Sequence, residues 1–282
     1  MSGSTIVAGV AGAPVAHSLS PLIHNAWLEA AGIDGVYVPF SPREDEFAAF
    51  AKGLCGGAIR GLNVTVPFKQ EALRLASEAS AAARRAGAAN LLVFDRNSCI
   101  RAENTDGAGL LAALAEQAPS FDVRAGPAVI LGAGGAARGA AAALLDAGAP
   151  EVRVINRTAE RAMALAAELG KGARVVEASA GAYADAALIV NATTLGLGGG
   201  AGADVPFRQT PAGAVVMDMV YRPLRTDFLM RAAASGRTTV DGLAMLIGQA
   251  RPSFQTFFGA ASPDIDVRGL CLAALGESSG AT

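Results

Sequence analysis

The chain has 282 residues, of which 52% are hydrophobic and 17% charged, with a formal net charge of −2 at pH 7. The length suits one large or two medium domains, and the composition excludes a disordered chain. The charge balance excludes the concentrated basic face that a nucleic-acid partner needs.

In chain order, β-rich runs fall at 5–10, 35–40, 58–64, 90–94, 128–131, 152–155, 187–191, 214–217 and 238–240. Helical patterns lie between them, for example at 21–31, 106–117, 136–147 and 159–169. This alternation predicts βαβ units in mainly parallel sheets, with right-handed crossovers placing helices on both faces. The stretch "APSFDVRAGP" at 118–127 breaks the pattern, and a new strand with its own Gly-rich turn follows it. The expected fold is α/β with two domains: 1–106 plus 242–282, and 107–241 as a doubly wound, Rossmann-type domain. "LGLGGGAGADVP" at 195–206 reads as a surface loop.

Cys55, Cys99 and Cys271 are odd in number and lack CxxC spacing, which reads as reduced thiols in a cytoplasmic protein. His17 and His24 are the only histidines and stand without clustered ligands, so no metal site is expected. No apolar run of transmembrane length is free of charge or repeated glycine, and the first residues lack a basic start, so neither a membrane span nor a signal peptide is expected.

The most informative local signal is "AVILGAGGAARG". An apolar strand leads into Gly132, Ala133, Gly134 and Gly135, and a helix opens at Ala136. The first glycine permits a tight turn, the second lets backbone approach a pyrophosphate, and small Ala137 lets helix and strand pack closely. The helix N-terminus then offers free N–H groups to the anion. At the next strand tip stand Asn156, Arg157 and Thr158, where an NAD site keeps a carboxylate for the ribose hydroxyl. Arg157 and Arg161 suit a 2′-phosphate instead, so the expected cofactor is NADP. Thr158 is placed as the helix cap.

The first half supplies polar groups that folding does not require. "AHSLSP" sets Ser18 and Ser20 two apart on an extended segment, facing one side, although Ser20 also suits a helix cap before Pro21. "NVTVPFK" supplies Thr65 and Lys69, "GAAN" supplies Asn90, and "ENTDG" puts Asn104, Thr105 and Asp106 at a helix start, where a capping role is the alternative. Together they suit a small polyhydroxylated substrate. Pro67 ends the strand and is expected to open a helix, holding Lys69 at the strand tip beside an inter-domain cleft.

These stretches, with "NRTAER", "NATTLGL", "MVYRP" and "DGLAMLIGQA", occur in order, and from about residue 6 to residue 275 the chain resembles the shikimate dehydrogenase family. The resemblance implies NADPH-dependent reduction of 3-dehydroshikimate to shikimate on the route to chorismate and aromatic amino acids. It implies that Ser18 and Ser20 hold the substrate carboxylate, that Thr65, Lys69, Asn90 and Asp106 line the ring, and that Gln249 closes the site. It places Tyr221 near the carboxylate and nicotinamide, and Thr193, Met219 and Gly242 against the cofactor. Lys69 and Asp106 carry the proton chemistry, either one being the formal acid–base. The partner is a small molecule, with no nucleic acid and no membrane, for a monomer or homodimer. A quinate/shikimate or aminoshikimate paralogue and a non-catalytic nucleotide-sensing regulator stand as alternatives. Two features depart from the family pattern: Glu103 before "NTDG", and Pro252, expected to bend or interrupt the helix that carries Gln249.

Overall fold

Short apolar runs and alanine-rich segments build two sheets with flanking helices. The structure is a computed structural model, describing residues 2–95 and 99–277. The chain divides into one unit of Met1–Thr105 with Gln249–Thr282 and a second of Asp106–Gly248. The expected first domain includes 278–282, which lie outside the described residues.

The first unit contains β1 (Ile6–Ala11), α1 (Ser20–Ala31), β2 (Gly35–Phe40), α2 (Phe47–Gly53), β3 (Ile59–Val64), α3 (Lys69–Leu75), β4 (Glu78–Ala79), α4 (Ala81–Ala86), β5 (Leu91–Phe94) and β6 (Ile100–Glu103). Its sheet runs β2-β1-β3-β5-β6-β4. β1 is parallel to β2 and β3, but β5 is antiparallel to both β3 and β6. The connection from β5 to β6 is far too short for a parallel crossover, so these strands must form a hairpin. β4, β6 and the later β9 lie outside the expected strands. β4 has two residues, and β6 alternates buried and exposed positions within only four.

The second unit contains α5 (Asp106–Gln117), β7 (Ala128–Leu131), α6 (Gly135–Asp146), β8 (Val152–Ile155), α7 (Ala159–Leu169), β9 (Ala173–Val175), α8 (Ala180–Tyr183), β10 (Leu188–Asn191), β11 (Val215–Asp218), α9 (Asp227–Ala234) and β12 (Thr238–Val240). Its strands run β12-β11-β10-β7-β8-β9, every neighbouring pair parallel. β7, β10 and β11 are buried at every position, as strands covered on both faces must be. Strand order reverses between β7 and β10, the switch point at which doubly wound sheets take their ligands.

α10 (Gly242–Phe258) begins in the second unit and ends in the first, and α11 (Val267–Leu275) follows. The chain therefore returns at Gly248/Gln249, later than the expected 241/242. The first turns of α10 pack on α5, where a Cβ on Gly248 would stand 3.0 Å from the Cβ of Ala112. Pro252 does not interrupt α10. Side chains there bond back one turn: Ser253 Oγ donates to the Gln249 carbonyl at 3.1 Å, and Thr256 Oγ1 to the Pro252 carbonyl at 2.9 Å. Among the described residues, no helix is long and apolar enough to cross a membrane.

Candidate active site

At the switch point, Gly132 ends β7 with φ +114°, and a Cβ there would meet the Ala192 carbonyl oxygen at 3.0 Å and Thr193 Cγ2 at 3.2 Å. A side chain at this position would be strained by the backbone conformation and crowded by its neighbours. The first turn after β7 is thereby pressed against the loop after β10, bringing Thr193 beside Gly132. Gly134 differs: a Cβ on it would meet no protein atom within 4 Å. No packing requires a glycine there, so the room lies open above the N-terminus of α6. Gly134 is the cap position of α6, Gly135 and Ala136 form its first turn, and Ala133 and Ala137 are buried. The first N–H groups of α6 thus face a cradle that suits a phosphate.

The tip of β8 carries no carboxylate. Asn156 Nδ2 donates to the Thr158 carbonyl at 2.8 Å, shaping the turn into α7. Thr158 occupies the cap position, but its hydroxyl caps nothing; its polar group is left for other use. Arg157 and Arg161 are exposed, and neither appears in an ion pair among the described residues. An uncommitted pair of guanidinium groups beside an open cradle fits a phosphorylated ribose.

Met219, the residue after β11, meets Gly242, the first residue of α10: a Cβ on Gly242 would stand 2.5 Å from the Met219 carbonyl oxygen. Tyr221 is half-buried in the turn between β11 and α9. Sequence reasoning overlooked the buried set behind these loops, Asn191, Asp218 and Thr226, each fully shielded from solvent.

In the first unit, Ser18 and Ser20 lie together at the start of α1. Ser18 Oγ accepts the Ser20 backbone N–H at 3.2 Å, and the helix has no side-chain cap. Ser20 is therefore inside the helix and is not its cap. After β3 the chain turns at Thr65, whose carbonyl accepts the Phe68 N–H at 3.0 Å. Val66–Pro67 is a cis peptide, and α3 opens at Lys69 rather than at Pro67. The proline forms the turn, and the lysine is the first helical residue. The Lys69 carbonyl accepts the Ala89 N–H at 2.8 Å, tying this corner to the segment before β5.

That segment carries Asn90, which is 3% exposed. Its Oδ1 accepts the Thr105 backbone N–H at 2.8 Å, and its Nδ2 donates to Thr105 Oγ1 at 2.9 Å and to Gln249 Oε1 at 3.3 Å. Asn90 and Gln249, both expected in the site, are thus joined through Thr105. A second layer lies beneath them. Asn63 Nδ2 donates to the Asn90 carbonyl at 3.1 Å and to Ser253 Oγ at 2.9 Å, while its Oδ1 accepts the Tyr37 hydroxyl at 2.7 Å. Burial holds the Tyr37 phenol well above its ordinary range, so it remains a donor. Asn63 stands inside "NVTVPFK", and its polar side chain at an otherwise apolar strand position was the available signal.

Asp106, the first residue of α5, opens the second unit, whereas Lys69 belongs to the first. Asp106 is 4% exposed and stands in the first turn of α5. Asn104 Nδ2 donates to the Ala88 carbonyl at 2.9 Å. Glu103 pairs with Arg101 at 3.3 Å, a neighbour on the same strand face.

Residues 10–92 match the family model described as shikimate dehydrogenase substrate binding domain, and residues 113–195 match that described as shikimate / quinate 5-dehydrogenase. The shikimate dehydrogenase (NADP(+)) of Caulobacter vibrioides strain NA1000 is 60% identical over 98% of each chain. The shikimate 5-dehydrogenase of Thermus thermophilus, solved with NADP(H) and shikimate, is 38% identical with a TM-score of 0.84, covering 96% of this chain and 98% of that one. Quinate dehydrogenase of Corynebacterium glutamicum, solved with NAD, is 29% identical with a TM-score of 0.86, covering 95% and 99%. Likeness of this extent, running through both units, establishes that the chain belongs to the shikimate dehydrogenase family.

Proposed function

We propose that the chain reduces 3-dehydroshikimate to shikimate with NADPH, in the cytoplasm, on the route to aromatic amino acids. The observation that carries this reading is the full-length likeness to an NADP-dependent shikimate dehydrogenase. The residues present fit the cofactor: an open backbone cradle at Gly134 and two uncommitted arginines at a strand tip without an acid.

Bound NADPH supplies the hydride that reduces the ring ketone. Gly132, Ala133, Gly134, Gly135 and Ala136 hold its pyrophosphate, and Asn156, Arg157, Thr158 and Arg161 hold the 2′-phosphorylated ribose. Thr193, Met219 and Gly242 line the remainder of the cofactor site. Ser18 and Ser20 bind the substrate carboxylate, with Tyr221 beside it. Asn90, Thr65 and Gln249 hold the ring hydroxyls, and the joined Asn90–Thr105–Gln249 side chains restrict how those hydroxyls turn. The Lys69 ammonium stabilises negative charge growing on the ketone oxygen and delivers the proton. Asp106 orients it or a ring hydroxyl.

The test follows NADPH consumption by absorbance with 3-dehydroshikimate, beside NADH, and then the reverse reaction with shikimate and quinate. Turnover with NADPH and shikimate, and little with NADH or quinate, is expected. Preference for NADH or quinate would assign the chain to the paralogue class. Binding of NADPH without turnover would return the regulator.

A further inference from the structure

Asp218 ends β11, directly paired with Asn191 at the end of β10. Its carboxylate is fully buried, and no cation pairs with it among the described residues. Oδ1 accepts Asn191 Nδ2 at 2.9 Å and the Val220 N–H at 3.0 Å, and Oδ2 accepts the Thr226 hydroxyl at 2.7 Å. Thr226 Oγ1 already accepts the Leu229 N–H at 3.2 Å as the α9 cap, so its own proton points to Asp218.

Asn191 extends the set into the other loop. Its Nδ2 also donates to the Leu195 carbonyl at 3.1 Å, and its Oδ1 accepts the Thr193 N–H at 3.1 Å and hydroxyl at 2.6 Å. A further bond, from Gly198 N–H to the Arg222 carbonyl at 2.9 Å, ties the two loops directly. Burial pushes the Asp218 carboxyl above its usual range, and the three donors oppose that rise. A lone buried carboxylate is a costly way to gain stability, since apolar side chains do as well or better in such places. What it supplies is geometry: one acceptor-only group satisfied by three donors from two segments, the end of β10 and the connection from β11 to α9.

We propose that Asp218 is a positioning residue, locking the loop that carries Thr193 to the loop that carries Met219 and Tyr221, so that its hydrogen bonds set how the cofactor and substrate are held for reduction. The proposal rests on the function proposed above for those loops. It predicts that the network changes kinetics and not only folding, because a misplacement of about 1 Å costs roughly 100-fold in rate.

The experiment compares Asp218→Asn, Thr226→Val and Thr226→Ser with the wild type. For each, the NADPH dissociation constant, kcat, KM for 3-dehydroshikimate and Tm are measured. Asp218→Asn is expected to lower kcat about tenfold or more and to weaken NADPH binding. Thr226→Val should move in the same direction, while Thr226→Ser, which keeps the hydroxyl, should restore wild-type kinetics. Lower Tm with unchanged kcat, KM and NADPH affinity would overturn the proposal and leave Asp218 merely structural. If Asp218→Asn does not fold, the Thr226 pair decides: equal kinetics for the valine and serine variants would also overturn it. If the wild type itself does not reduce 3-dehydroshikimate, the proposed function fails, and NADPH affinity alone then judges Asp218: weakened binding supports it and unchanged binding overturns it.

Discussion

The two units build their halves of the chemistry from different materials. In the second, the proposed cofactor cradle is backbone: a glycine at φ +114°, a helix N-terminus and a close approach between two loops. In the first, the proposed substrate site draws on side chains: Asn90 and Gln249 are joined through Thr105, Gln249 lying well over a hundred residues from the other two. A backbone site must be continuous in sequence, so it is written as a motif. A side-chain site needs only convergence in space, so its members are scattered and each has a plausible structural excuse. The first kind fails when backbone is displaced, and the second when one functional group is removed.

Removing one group should give the largest effect. Lys69→Ala is expected to lower kcat by about 10³-fold, in the range of a lost general acid, as measured by steady-state turnover with saturating 3-dehydroshikimate. A loss confined to KM would make Lys69 a binding residue. Displacing backbone should do the opposite. Gly132→Ala forces a Cβ to 3.0 Å from the Ala192 carbonyl oxygen in a left-handed conformation, at a cost of about 1–3 kcal/mol. The urea midpoint should fall and NADPH titration should weaken, while the Asn90–Thr105–Gln249 side chains remain in place.

Cofactor choice sharpens the contrast, since it rests on side chains in the backbone-built unit. Arg157→Ala should raise the NADPH dissociation constant about tenfold, one charge-assisted contact, and leave NADH unchanged. Equal loss for both nucleotides would remove Arg157 from the 2′-phosphate.

The remaining effect concerns stability in the first unit and leaves turnover and cofactor binding at neutral pH untouched. His24 is fully buried against Tyr37 at 4.1 Å and among Trp27 and Phe254, and neither ring nitrogen finds a partner among the described residues. Burial lowers it from 6.5 to about 3. The folded chain keeps this ring neutral, whereas the unfolded chain protonates it below 6.5, so the unfolded state binds more protons in that window. Stability is therefore complete above 6.5 and falls with acid by about 1.4 kcal/mol per pH unit. His24→Phe should remove that part of the slope in urea midpoints measured between pH 7 and pH 5; an unchanged slope would place the titration elsewhere.

The same contrast explains what the sequence disclosed. β7 with its Gly-rich turn, and β8, were legible because each strand is a buried run rich in β-branched residues and followed by its own punctuation. β6 and β9 were not, since a strand of three or four residues with alternating burial carries little pattern. The hairpin of β5 and β6 hid inside an apparent βαβ rhythm, because β6 (Ile100–Glu103) alternates apolar and charged residues over only four positions and gave β5 no visible antiparallel partner. Asn90 and Gln249 were found through family resemblance, whereas Thr105, Asn63 and Ser253 are polar residues whose purpose exists only once strands and α10 converge. Asp218 reads as the last residue of a strand, and its three donors come from positions 191, 220 and 226. Pro252 suggested a bend or a break, and α10 continues through it without a break.

The central claim is that cofactor binding and proton chemistry reside in separable sets of residues. The most direct measurement is the NADPH dissociation constant of Lys69→Ala, by fluorescence titration, set beside its kcat. The account predicts wild-type NADPH affinity in a variant that has lost nearly all turnover. NADPH affinity falling in step with kcat would contradict it and show that Lys69 serves the cofactor site as well.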